Sequence, residues 1–167
     1  MGDVKASIKV NRPKSSTYRV SGKTLKEVMK ALDSRDEWGT YDSTQNQKSA
    51  MKVDKDGKVG SVTVELNPDI EMPVWSDYGN ATKEQKAAWD KMWSALKTHE
   101  DGHHDIQLKC AAELEKAIKS AKSLDKDTLG DMIEKSQTEC QKKQDAYDSR
   151  TSHGAKDGVE LDLTADP

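Results

Sequence analysis

The residues best able to do chemistry are concentrated in Thr98-His99-Glu100-Asp101-Gly102-His103-His104-Asp105, which contains the pattern H-E-x-x-H. His99 and His103 stand four residues apart. On a helix of 3.6 residues per turn both imidazoles leave the same face, one turn above the other, and can chelate one metal ion. Glu100 is displaced around the helix, where a carboxylate can take a proton from a metal-bound water instead of binding the metal. The motif supplies two ligands and a base. His104 lies about 100° around the helix from His103 and is not counted as a ligand.

These residues need a helix to position them, and the flanking sequence provides one. Thr82-Lys83-Glu84-Gln85 reads as a capping box, with Thr82 as N-cap. Apolar residues then recur at helical spacing through Trp89, Met92, Trp93, Leu96, Ile106, Cys110, Leu114, Ile118 and Ala121. His99 and His103 fill the gap between Leu96 and Ile106, so the imidazoles occupy the stripe that will be buried. Ser123–Asp127 breaks the helix. A second begins near Thr128, with Leu129, Met132, Ile133, Cys140 and Tyr147 on its apolar stripe.

In an antiparallel pair turning near residue 125, facing residues have numbers that sum to about 250. Cys110 and Cys140 meet that condition, which makes a disulfide between them the expectation and two buried reduced cysteines the alternative. A disulfide indicates an oxidising compartment. The same register sets Tyr147-Asp148-Ser149-Arg150-Thr151-Ser152-His153-Gly154 beside the metal helix. Catalytic zinc usually has three protein ligands, and His153 is the natural third. Glu113 and Glu115 compete, but they lie about 15 Å or more along the helix from His103. Asp148 can ligate, though it reads better as an acceptor fixing an imidazole tautomer. Tyr147 is either a donor to the oxyanion of a tetrahedral intermediate or a core tyrosine.

Ahead of the metal helix the chain reads as sheet. Ala6–Val10 and Thr17–Val20 look like short strands, Thr24 to Ser34 an amphipathic helix on Leu25, Val28, Met29 and Leu32, and residues 36 to 47 a strand or loop. Met51 and Val53 lead into Asp54-Lys55-Asp56-Gly57, and Val59, Val62, Val64 and Leu66 lead out, which specifies a hairpin. Asn67-Pro68 and Met72-Pro73 are expected to end the sheet, because proline offers the ladder no donor.

Composition narrows the function classes. The chain has 167 residues, a length suited to one domain with a core. With 34% charged residues but a formal net charge of only -3, and both signs interspersed, it has no basic stripe to neutralise phosphates, so nucleic acid is not an expected partner. No apolar run reaches the length of a membrane span. Met1-Gly2-Asp3-Val4 lacks the apolar core of a signal peptide, so the sequence reads either as cytoplasmic or as a chain relieved of its signal.

The chain resembles a bacterial family described as predicted secreted zinc-dependent proteases. The resemblance runs from Thr17-Tyr18-Arg19-Val20-Ser21-Gly22 through Leu66-Asn67-Pro68 and Met72-Pro73-Val74-Trp75 to His99-Glu100-Asp101-Gly102-His103 and Tyr147–Gly154. Its specific part is the pairing of H-E-x-x-H with Y-D-x-x-T-x-H-G. It implies a zincin-like fold, zinc, and export to the periplasm or beyond, without a known substrate.

The combined expectation is a single α+β, zincin-like domain over residues 1–167, with a small, twisted, mostly antiparallel sheet packed on the helical hairpin. Mobile N-terminal residues and a polar tail from about residue 155 would flank it. Its function would be zinc-dependent hydrolysis, most simply of peptides. One Zn2+ per chain would be held by His99, His103 and His153, with Glu100 as general base, Tyr147 assisting, Asp148 behind the ligands, and a peptide paired along Val59–Leu66. The rival expectation is a zinc-binding structural or adhesion module without turnover, and a third is a metal-free cluster of packed histidines.

Overall fold

A computed structural model describes residues 3–167; of the N-terminal residues expected to be mobile, 1 and 2 lie outside the described ones. The chain runs β1 (Lys5–Val10), β2 (Lys14–Val20), α1 (Leu25–Leu32), β3 (Thr40–Asp42), β4 (Gln47–Val53), β5 (Val59–Leu66), β6 (Asp69–Trp75), α2 (Lys83–Lys119) and α3 (Lys126–Thr151), followed by two short 3-10 turns. The class is α+β. Contacts divide the chain into two compact units, each assembled from three separate stretches.

The first unit comprises the segment up to Pro13, Asp42–Pro68 and His104–Asp145. Its three-stranded sheet has the order β1-β5-β4. β4 and β5 form the expected antiparallel hairpin. Asp54 shapes its turn by accepting from the backbone N–H groups of Asp56 and Lys58 at 2.8 and 2.9 Å, and Gly57 supplies a φ of 77°. β1 joins the other side of β5 in parallel, with Ile8 opposite Val64. Val59, Val62, Val64 and Leu66 bury against Ile118, Leu124 and Leu129. The expected disulfide closes the helical part of this unit, with the Cα atoms of Cys110 and Cys140 5.9 Å apart.

The second unit comprises Lys14–Tyr41, Asp69–His103 and Ala146–Pro167. Its sheet has the order β2-β6-β3, with β2 and β6 parallel and Thr17 opposite Met72. Leu25, Val28 and Leu32 of α1 pack with Met72, Trp75, Trp89, Met92 and Leu96 into its core. The start of α2 is the anticipated capping box: the Gln85 N–H donates to Thr82 Oγ1 at 3.1 Å, and the Thr82 N–H to Gln85 Oε1 at 2.9 Å.

Three expectations are corrected here. The single, mostly antiparallel sheet is two sheets with parallel pairs, because β1 and β2 pair with β5 and β6, partners more than fifty residues away that periodicity cannot reveal. Pro73 lies inside β6 instead of ending the sheet; a parallel ladder takes N–H groups only from alternate residues, which leaves room for one residue without a donor. β5 has strands on both sides, so no edge along Val59–Leu66 is open to a peptide.

The stretch expected to be a polar tail is built into the second unit. Val159 and Leu161 are buried in its core. Asp166 accepts from the N–H groups of Leu25 at 2.7 Å and Lys26 at 3.1 Å, while Thr24 takes that of Glu27 at 3.2 Å. The first three N–H groups of α1 are all satisfied in this way, two of them by a residue some 140 positions later.

Candidate metal centre

All the residues of this centre belong to the second unit. α2 carries His99, Glu100 and His103 inward: they are 4%, 3% and 8% exposed, in line with Met92 and Leu96. The last turn of α3 faces them. Asp148 places Oδ1 3.0 Å from Nε2 of His99 and 3.0 Å from Nε2 of His103, and Nδ1 of His153 stands 3.7 Å from the same oxygen.

Each letter of the Y-D-x-x-T-x-H-G motif acquires a physical role. The Tyr147 ring stacks on His99 with centroids 4.8 Å apart and meets His103 edge-on at 4.8 Å, while its hydroxyl donates to the His99 carbonyl at 3.1 Å. The hydroxyl expected to serve an oxyanion is here bonded to the backbone of helix α2. Thr151 is buried; its Oγ1 donates to the Tyr147 carbonyl at 2.8 Å and accepts from the Gly154 N–H at 3.1 Å, which latches the chain as it leaves the helix. Ser152, His153 and Gly154 then take φ values of 50°, 54° and 88°. Two consecutive non-glycine residues in the left-handed region are uncommon, and this run turns His153 back toward Asp148. Gly154 cannot be anything larger, since a Cβ would stand 2.5 Å from Val159 and 3.0 Å from the His99 ring.

A metal fits the donors present. Tetrahedral zinc with bonds of about 2.0–2.2 Å separates its ligands by about 3.3–3.6 Å. Oδ1 of Asp148 stands 3.0 Å from Nε2 of His99 and of His103, the three donor atoms lie within 4.8 Å of one another, and these three residues form one group able to hold an ion. Asp148, expected to fix an imidazole from behind, is thus itself one of the three grouped donors. His153 joins Asp148 and Glu37 in a second such group. Nε2 of both imidazoles lies within hydrogen-bond distance of the Asp148 carboxylate. Nδ1 of His99 is buried and has no hydrogen-bond partner. Burial, then the proximity of His103, lowers the His99 pKa, which favours the neutral form that binds metals.

The helix pattern and the turn that completes it lie inside a single family match. The chain belongs to the bacterial family of unknown function DUF922. The family model covers residues 15–154, from β2 to the glycine that closes the motif. No curated protein and no solved structure matches the chain. The DUF922 span holds every candidate ligand, whereas Val159, Leu161 and Asp166, which complete the core and the α1 cap, follow it.

Within that span the sequence reading missed Glu37. Its carboxylate Oε1 lies 3.6 Å from Nδ1 of His153. Polar residues 36 to 47 carry no periodic signal that could have singled it out. Glu37, Leu96, His99, Glu100, His103 and His153 line one cavity of about 190 Å3 with Trp38, Gly39 and Val159, and among the described residues no lysine or arginine lines it. Burial, then Glu37 and Asp148, pushes the Glu100 carboxyl up to about 8. Gly39 allows Glu100 to lie where it does: a Cβ there would come within 3.0 Å of Oε1. Of the competitors considered earlier, Glu113 pairs with Lys143, and Glu115 accepts from the Ile8 N–H, both in the first unit.

Proposed function

We propose that this chain is a zinc-dependent hydrolase acting on peptide bonds. The observation that carries the reading is that Glu100 faces the same cavity as His99, His103 and His153, yet stands outside the donors gathered around Asp148. His99 and His103 would hold one zinc ion together with Asp148, His153 or both. When bound, zinc acidifies a water and polarises a carbonyl oxygen. Glu100 takes the proton of the attacking water and passes it to the leaving amine. A carboxyl whose pKa is raised by burial and then by neighbouring carboxylates is brought back toward a useful base by a divalent cation among them. Tyr147 holds the two helical imidazoles, by stacking on one and meeting the other edge-on. The Cys110–Cys140 disulfide favours an oxidising location, periplasmic or secreted, over the cytoplasm.

A second reading has its own support. If Asp148 and His153 both ligate, four protein donors close the site, as in structural zinc centres, and the chain is a zinc-binding module without turnover. Glu100→Gln separates the two. The amide keeps the shape but cannot serve as base, so zinc binding measured by equilibrium dialysis should persist while hydrolysis of a broad peptide library falls a hundredfold or more. A parent protein without submicromolar zinc affinity ends both readings. A parent that binds zinc and cleaves nothing leaves the structural one.

A further inference from the structure

His99 and His103 are fixed by helix α2 and by Tyr147, but His153 rides on the left-handed turn with its side chain 61% exposed. A surface imidazole keeps rotational freedom that it must give up to ligate. The residue that faces it is Glu37, and Glu37 is held on a fixed loop. Trp38, next in sequence, donates from Nε1 to Asp33 Oδ1 at 2.9 Å, and its carbonyl accepts from the Tyr18 hydroxyl at 2.5 Å. Arg35, two residues before, pairs with Glu71 and lies 3.7 Å over the Tyr18 ring. Gly39, two residues after, is packed against Leu96. Glu37 Oε1 stands 3.6 Å from His153 Nδ1, within reach of a small rotation of the exposed ring. The same Nδ1 lies 3.7 Å from Asp148 Oδ1, so a Glu37 carboxylate that accepts from Nδ1–H fixes the neutral tautomer whose free nitrogen for a metal is Nε2, and raises the basicity of that nitrogen.

We propose that Glu37 is a positioning residue that acts on the metal centre through His153, so that the loop after α1 helps set how tightly the centre holds zinc. This rests on the metal-centre reading above. The test is zinc affinity, measured by competition with a chromophoric chelator, for the parent, Glu37→Ala, His153→Ala and the double variant. Glu37→Ala should bind zinc about tenfold or more weakly. Glu37→Gln, which keeps an acceptor at the same reach, should fall between it and the parent. In the His153→Ala background Glu37→Ala should cost nothing further, because the residue through which it acts is gone. The zinc-free parent and Glu37→Ala should melt together, as expected for a half-exposed side chain. Unchanged affinity in Glu37→Ala, or an equal loss with and without His153, overturns this proposal and leaves the metal centre standing. A parent that takes up no zinc overturns both.

Discussion

Gly102, inside the H-E-x-x-H pattern, marks the closest approach of helix α2 to Tyr147: a Cβ there would stand 2.2 Å from the phenol oxygen. Two effects of Gly102→Ala oppose each other. Alanine in mid-helix is worth about 1 kcal/mol over glycine. Forcing a methyl group into a packed contact costs about 1–3 kcal/mol, and here the obstructing ring cannot swing aside without leaving both imidazoles. The clash should win. Gly102→Ala is expected to lower stability in urea denaturation and to weaken zinc binding, whereas Gly130→Ala, where a Cβ meets nothing within 4 Å, should raise stability by a few tenths to 1 kcal/mol. Equal effects of the two substitutions would mean that Tyr147 is not wedged against the helix.

Helix α1 shows how an element depends on a group far away in sequence. Burial pushes the Asp166 carboxyl up, but the N–H groups of Leu25 and Lys26 and the Gln85 amide together hold it below its ordinary value. A carboxyl depressed in the folded state contributes stability above its unfolded pKa and loses it as pH falls through its folded one. The stability difference between the parent and Asp166→Ala should therefore be about 1 kcal/mol and flat near neutrality, and should shrink below about pH 4. Urea titrations at several pH values would show it, and a difference that grew in acid would refute the cap. Asp166 also marks where sequence reading stops. The capping box of α2, the β4–β5 hairpin and the Cys110–Cys140 register were legible because each depends on neighbours or on helical rise alone. The pairing of β2 with β6, the reach of Asp166 to α1 and the approach of Glu37 to His153 depend on contacts across long stretches of chain, which no local period encodes. The site was half legible for the same reason: spacing on one helix gave His99, Glu100 and His103, and hairpin register gave the segment 147–154. The central place of Asp148 required the geometry of the turn.

For the whole molecule, the disulfide closes a loop between cysteines 30 residues apart. Loop closure of that length stabilises by about 3–4 kcal/mol. The Cys110→Ser/Cys140→Ser variant should lose about that much in chemical denaturation, and reduction of the parent should reproduce the loss. A reduced parent as stable as the oxidised one would show that the bond constrains little. The two compact units raise a different matter, because their segments strictly alternate along the chain, first unit then second, three times over. Each unit is thus written in three instalments. Any uninterrupted stretch long enough to contain His99, His103, Asp148 and Glu37 also carries the β4–β5 hairpin and both cysteines. A gene fragment cannot encode the candidate metal centre alone, a single protease nick cannot release it, and fusion or deletion at a chain end cannot transplant it. Whatever this site does, it can be inherited only together with two of the three segments of the unit that contains none of its residues.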